Sequence, residues 1–404
     1  GEEIQQQRNI SCIQKGINPY KDYEEYLKLA EEESLEFIIS NTTEAGIAYD
    51  DSDTLEGTPH KSFPAKLTAL LYRRFKHFNA DASKGLTIIP CELINYNADT
   101  LKKIILQYAQ LWQLEDEFIS WIDNSNSFHN TLVDRIVPGY PKDDIESYQS
   151  QLEFEDKLIV SAEVFLLWVI EGDEKLKAKI PFDKIDENIV VVKDMQPYRT
   201  RKVRILNGAH TTMVPFSILY GNETVKETVD DSFTGAFVKE AIFKEIIPTL
   251  SLSEEELKTF AEEVLDRFRN PFIKHQLASI ALNSISKFKV RVLPSLLFFQ
   301  TNCNRLPLHL VYAFACLIRF YRGDWNNQIL PVNDDESVIN EIKRIWENHS
   351  YQEISYAVLS NEKFWDVDLT TVPELQDKVA LALELIESKG IEEGYKNFTE
   401  KAKV

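Results

Sequence analysis

The feature that most constrains the fold is a change of periodicity near residue 190. Before it, short apolar runs alternate with amphipathic stretches. The spacing predicts a strand over residues 9–13, a helix over 20–33 and a buried strand over 35–40. A polar turn at 41–46 follows the carboxyl end of that strand. A helix over 64–78 with proline near its start, a strand over 85–90 and a helix over 98–114 continue the pattern. The apolar run 164–170 reads as a buried strand or a core helix. Such alternation implies a parallel sheet with helices on its faces, in which ligands sit at the carboxyl ends of the strands. From about Asp194 onward the strand signals fade and long helices take over. Ser253 and Glu256 form a capping box, and residues 272–285, 307–322 and 373–389 read as helices, the last two opening on proline. An α/β domain over 1–190 and a mostly helical domain over 191–404 follow, with a site expected between them.

With 404 residues the chain is long enough for two cores. A formal charge of -20 argues against nucleic acid or an anionic membrane as partner, but not against an anionic ligand at a cleft of opposite local field. The longest apolar run is far too short to span a bilayer, and no signal peptide is evident, so a cytoplasmic location is expected. Cys12, Cys91, Cys303 and Cys316 are scattered, which suits a reduced compartment. Cys91 reads as a catalytic thiol or, more simply, as a buried structural one. The histidines show no metal-ligand spacing, and no metal is expected.

Within the acidic chain lies a basic knot, Arg199, Arg201, Lys202 and Arg204, running into Asn207-Gly-Ala-His210. On an unbroken α-helix Asn207 would lie about 140° from Lys202 and His210 about 80° from it. Oxidising a secondary alcohol without a metal needs such a set: a base for the hydroxyl proton, and donors for the oxygen whose charge changes. A lysine amine is too basic in water, with a pKa of about 10.4, and needs desolvation or neighbouring cations such as Arg201 and Arg204. The same spacing also fits an amphipathic helix with a solvated basic face and a satisfied histidine.

The pattern Lys202-x4-Asn207-x2-His210 resembles the catalytic signature of the polyol-specific long-chain dehydrogenases, the mannitol dehydrogenase family. Val133-Asp134-Arg135-Ile136-Val-Pro138, the turn Asn41-Thr42-Thr43-Glu44-Ala-Gly46, and Arg267-Phe-Arg269-Asn270-Pro271-Phe-Ile-Lys274-His275 are similar to other family segments, in the family's order. Within it the chain looks most like the tagaturonate reductases (altronate oxidoreductases). The resemblance implies a Rossmann-like domain, NAD as cofactor and a hexonate or keto-hexuronate as substrate. It also implies Lys202, Asn207 and His210 as the catalytic group, and Asn41, Thr42, Thr43 and Glu44 at the cofactor. Asn97, Asn130, Asp134, Arg135, Lys274 and His275 become the substrate candidates, with Arg269, Lys287 and Arg291 as further cations for a carboxylate. A fructuronate reductase or a polyol 2-dehydrogenase is the neighbouring enzyme reading. A non-catalytic binding protein is the reading from another class.

Three departures stand out. Mannitol and fructuronate enzymes carry Ser-Cys-Asp-Asn where this chain has Pro90-Cys91-Glu92-Leu93, so Leu93 cannot donate to the reacting oxygen. Arg199 stands where some relatives place a glutamate as proton gate. No G-x-G-x-x-G occurs, and the chain opens where the family is past its first strands, so the Rossmann-like domain is expected to be N-terminally incomplete.

Overall fold

The computed structural model describes residues 5–402 apart from 44, 138, 143, 272–274 and 348. It divides into two compact units, Gly1–Tyr198 and Arg199–Val404.

In the first unit α1 (Tyr23–Lys28) leads to β1 (Phe37–Ser40), α2 (Phe63–His77), β2 (Thr87–Pro90), α3 (Asn97–Leu111) and α4 (Asp116–Ser125). β2 is buried along its whole length, which explains its unbroken apolar run. It pairs in parallel with β1, Ile38 opposite Ile88, and with the short β3 (Ser127–Phe128). Two residues later the chain becomes β4 (Thr131–Asp134), which leaves β2 and pairs antiparallel with β5 (Leu167–Glu171). The short helices α5 (Ile145–Gln149) and α6 (Glu174–Lys179) flank β5, which pairs in parallel with β6 (Ile189–Val192). The core forms where α2, α3 and α4 bury Leu67, Leu71, Ile105, Phe118 and Ile122 with Ile88. Helix α2 begins as its sequence suggests: the Ser62 hydroxyl accepts from the Ala65 N–H at 3.2 Å, and Pro64 sits in the first turn.

Residues 9–13 are not a strand. They are exposed and unpaired with any described strand, since two isoleucines bury too little to offset the ordering of an edge. The run 164–170 resolves as β5, shifted to Leu167–Glu171, with Val164 exposed.

The second unit is helical. Helix α7 (Gln196–Lys202) enters it and passes through a π turn (Val203–Asn207) into α8 (Gly208–Tyr220). Nearly every residue of α8 is buried, as is α15 (Leu308–Phe320), and the two pack together at the centre. Around them lie α9 (Val225–Asp230), α10 (Ser232–Glu240), α11 (Glu254–Phe268), α12 (Leu277–Ile280), α13 (Ser284–Arg291) and α14 (Leu293–Cys303). A hairpin, β7 (Asp324–Trp325) and β8 (Gln328–Ile329), precedes α16 (Glu336–Trp346), α17 (Tyr351–Leu359), α18 (Glu362–Trp365), α19 (Leu375–Lys389) and α20 (Ile391–Lys401). Of the predicted helix over 272–285, residues 272–274 lie outside the described residues, and the rest holds α12 and the start of α13, broken at Asn283, whose φ is +53°. Pro307 stands one residue before α15, at its N-cap, and Pro373 two before α19. Half of the predicted capping box forms: Ser253 accepts from the Glu256 N–H, while the Glu256 carboxylate pairs with Arg201 at 2.7 Å. Among the described residues no helix is long and apolar enough to cross a membrane.

Candidate active site

The π turn decides how Lys202, Asn207 and His210 relate. An i→i+5 turn holds one residue more than an α turn, so the faces on either side of it match as if one residue were missing. Asn207 then behaves as the fourth residue after Lys202 and His210 as the seventh. Their offsets fall from about 140° and 80° to about 40° and 20°. The three side chains form one stripe, narrower than the half-surface an unbroken α-helix would give. Lys202 and His210 are buried and Asn207 is half-buried. Gly208 lets this stripe pack closely, since a Cβ there would lie 3.2 Å from the Arg291 carbonyl oxygen at the end of α13.

His210 is enclosed. The Phe268 ring lies 4.4 Å away and the His275 ring 5.0 Å away, edge to face. Its Nε2 is buried and has no hydrogen-bond partner among the described residues. Burial holds the imidazole well below its ordinary pKa, and His275, Arg291, Arg267 and Lys287 push the same way. His210 is therefore neutral at physiological pH and able to donate one N–H. Burial also lowers His275. Lys287 is lowered by burial and by Arg291, opposed by Asp334, and its Nζ donates to the Ile280 carbonyl at 2.8 Å. Arg204 is pulled down by burial to about 10, still cationic at neutral pH. Arg201 is a weaker source of positive field than its sequence position suggests, because it pairs with Glu256 and lies 4.3 Å over the Phe260 ring.

The other candidates divide. Asn41, Thr42 and Thr43 form the turn after the carboxyl end of β1, as expected for a ligand-facing segment; Glu44 lies outside the described residues. Thr43 adopts φ +81°, a costly conformation for a β-branched residue and one that clusters at functional sites. Gly46 is required there, since a Cβ would lie 2.0 Å from the Thr42 hydroxyl oxygen. The turn is pinned by Glu92, which is 1% exposed. Its carboxylate accepts from the Thr42 N–H at 2.9 Å, the Thr42 hydroxyl at 2.8 Å and the Ser40 hydroxyl at 3.1 Å. In the sequence Glu92 registered only as part of a departure, although an acid next to a buried apolar strand was the available signal.

The Asn97 side chain is occupied within the protein. It is fully buried, its amide donates to the carbonyls of Pro90, Glu92 and Thr131, and its oxygen accepts from the N–H groups of Ala98 and Thr131. It ties the end of β2 to β4. Asn130 is likewise occupied: its oxygen caps α3 by accepting from Ala98 and Asp99, and its amide donates to the Asp99 carboxylate. Asp134 is buried at the end of β4, whereas Arg135 is exposed and donates to the Glu163 carbonyl at 2.9 Å. Arg269 is a surface cation paired with Asp266 and Asp230. Lys274 lies outside the described residues. Cys91 is buried and its thiol is pushed up to about 11, which leaves it structural and not nucleophilic. Among the described residues no cluster of histidine, cysteine and carboxylates could hold a metal.

Comparison with known proteins finds matches to both units. Residues 1–184 match the mannitol dehydrogenase Rossmann domain and residues 194–387 the mannitol dehydrogenase C-terminal domain. Altronate oxidoreductases of Escherichia coli O7:K1 (strain IAI39 / ExPEC) and of Shigella flexneri are 46% identical over 97% of this chain and 82% of their own length. Among solved structures, the Pseudomonas fluorescens mannitol 2-dehydrogenase ternary complex with NAD and D-mannitol is 20% identical with a TM-score of 0.64. It covers 95% of this chain and 78% of that one. A D-sorbitol dehydrogenase in substrate-free form is 21% identical with a TM-score of 0.76, covering 93% and 78%. The chain, with a Rossmann domain followed by a helical C-terminal domain, belongs to the mannitol dehydrogenase family.

Proposed function

We propose that the protein is an NAD-dependent oxidoreductase interconverting D-altronate and D-tagaturonate. Lys202, Asn207 and His210 carry the chemistry. The observation that favours a sugar acid over a neutral polyol is the field at His210. Of the neighbours that lower it, Arg291, Arg267 and Lys287 are cationic side chains, and His275 is a histidine that burial itself holds low. Basic side chains gathered around a buried histidine suit a carboxylate, whose two oxygens accept from arginine or lysine. The pull comes from α11, α13 and the segment leading to α12, so the substrate's acid group and its reacting carbon are held by different elements.

In oxidation the unprotonated Lys202 amine accepts the hydroxyl proton as hydride leaves the same carbon. The Asn207 amide and the neutral His210 N–H donate to the oxygen as it becomes a carbonyl. In reduction the ammonium form returns the proton to that oxygen. NAD, when bound, supplies the hydride acceptor in one direction and, reduced, the donor in the other. The residues that fit the cofactor are Asn41, Thr42 and Thr43, at the strand end where doubly wound sheets bind ligands.

NADH consumption with D-tagaturonate, D-fructuronate and D-fructose side by side tests the proposal. Tagaturonate should be preferred, and Lys202→Ala should lower kcat/KM by about 10²–10⁴-fold. Normal turnover by Lys202→Ala would overturn the assignment of the base. Preference for fructose would overturn the sugar-acid reading and leave the mechanism in place.

A further inference from the structure

Glu92 is a carboxylate buried at the carboxyl end of β2, and the donors that reach it are neutral: one N–H and two hydroxyls. The structure records no ion pair for it among the described residues. The buried Glu245 of the second unit, by contrast, is matched by His309 at 2.7 Å and by the first N–H groups of α15. Three hydrogen bonds satisfy the oxygen lone pairs of Glu92 but leave its charge without a counter-charge.

Pinning the turn needs no charge. A neutral acceptor in the same place would accept the same bonds from Thr42. The charge stands beside a turn with two marks of a built site, a strained Thr43 and a Gly46 that admits no side chain. This is the strand end at which, on the reading of NAD as cofactor, the nicotinamide is bound. The nicotinamide ring is the part of that cofactor whose charge changes in the reaction, positive when oxidised and neutral when reduced.

We infer that Glu92 supplies the counter-charge to the oxidised nicotinamide and so sets the relative affinity for NAD+ and NADH. The inference rests on the NAD reading. Glu92 acts in two ways: through its bonds it positions the Thr42 turn, and through its charge it favours the cationic form of the cofactor. Losing the bonds should weaken both forms alike, whereas losing the charge should weaken only the oxidised one.

The test is titration of the protein with NAD+ and with NADH, followed by quenching of protein fluorescence, for wild type, Glu92→Gln and Glu92→Asp. In Glu92→Gln the ratio of the NAD+ dissociation constant to that for NADH should rise about tenfold, with NADH binding changed far less. Glu92→Asp keeps the charge on a shorter arm. It should weaken both forms to a similar degree and hold the ratio within about twofold of wild type. Equal weakening of both forms by Glu92→Gln overturns the electrostatic role. If Glu92→Gln fails to fold, Glu92→Ala removes the same charge: a ratio raised about tenfold there supports the role, and a ratio equal to that of Glu92→Asp overturns it. Failure of the wild type to bind either form would instead overturn the NAD reading itself.

Discussion

His210 joins catalysis to acid stability. Burial holds it, His275 and His60 below their ordinary pKa, so each stays neutral in the folded protein where a free imidazole would take up a proton. The sign follows from the proton count. Below about pH 6.5 the unfolded chain binds protons that the folded chain refuses, so stability is full above that value and falls as pH drops through it. Each such proton costs about 1.4 kcal/mol per pH unit. Urea unfolding of wild type and His210→Gln between pH 7.5 and 5.5 should show a shallower decline in the variant by up to one proton's worth. An identical slope would mean that His210 is not held neutral. The residue scale is also where sequence and structure part most sharply. Lys202, Asn207 and His210 could be proposed from the sequence because their spacing resembles a known signature. The bonds that occupy Asn97 and Asn130 could not be read there, because their partners Pro90, Thr131, Ala98 and Asp99 are brought near by tertiary pairing. The charge environment of His210 was half legible: its cations could be read as candidates, while their convergence depends on α11 and α13 meeting α8.

At the scale of elements the π turn between α7 and α8 deserves an experiment of its own. Five residues, Val203–Asn207, occupy one turn, and the stripe of Lys202, Asn207 and His210 depends on it. Deleting Val203 should convert the π turn to an α turn without changing how the flanking faces align. Inserting an alanine after Leu206 should instead rotate Asn207 and His210 about 100° away from Lys202. The deletion variant should therefore keep at least tenfold more kcat/KM than the insertion variant, provided both melt cooperatively. Equal losses would show that the stripe is not what matters. No periodicity signal reveals a π turn, since apolar spacing on both sides is ordinary and only the phase between them shifts. The parallel strands β1 and β2 were readable from their β-branched runs. By contrast, the exposed segment 9–13 has a similar local composition but pairs with no strand among the described residues.

For the whole molecule, the net charge is acidic while basic residues gather around His210, and the two respond differently to salt. At about 10 mM ionic strength the screening length is about 30 Å, so the formal charge of -20 repels an approaching anion. At about 150 mM it is about 8 Å, and that repulsion is largely removed. Arg267, Lys287 and Arg291 around His210 are half-buried, where screening is weaker than at the open surface. Their attraction survives the same change. Adding salt should therefore raise kcat/KM for an anionic keto acid over that range, mainly through KM, while a neutral ketose should show almost no response. Falling kcat/KM for the acid would mean that exposed cations dominate its capture, and that the substrate's carboxylate is read at the rim and not beside His210. Comparing the two substrates on one enzyme separates this from any effect of salt on folding, which both would share.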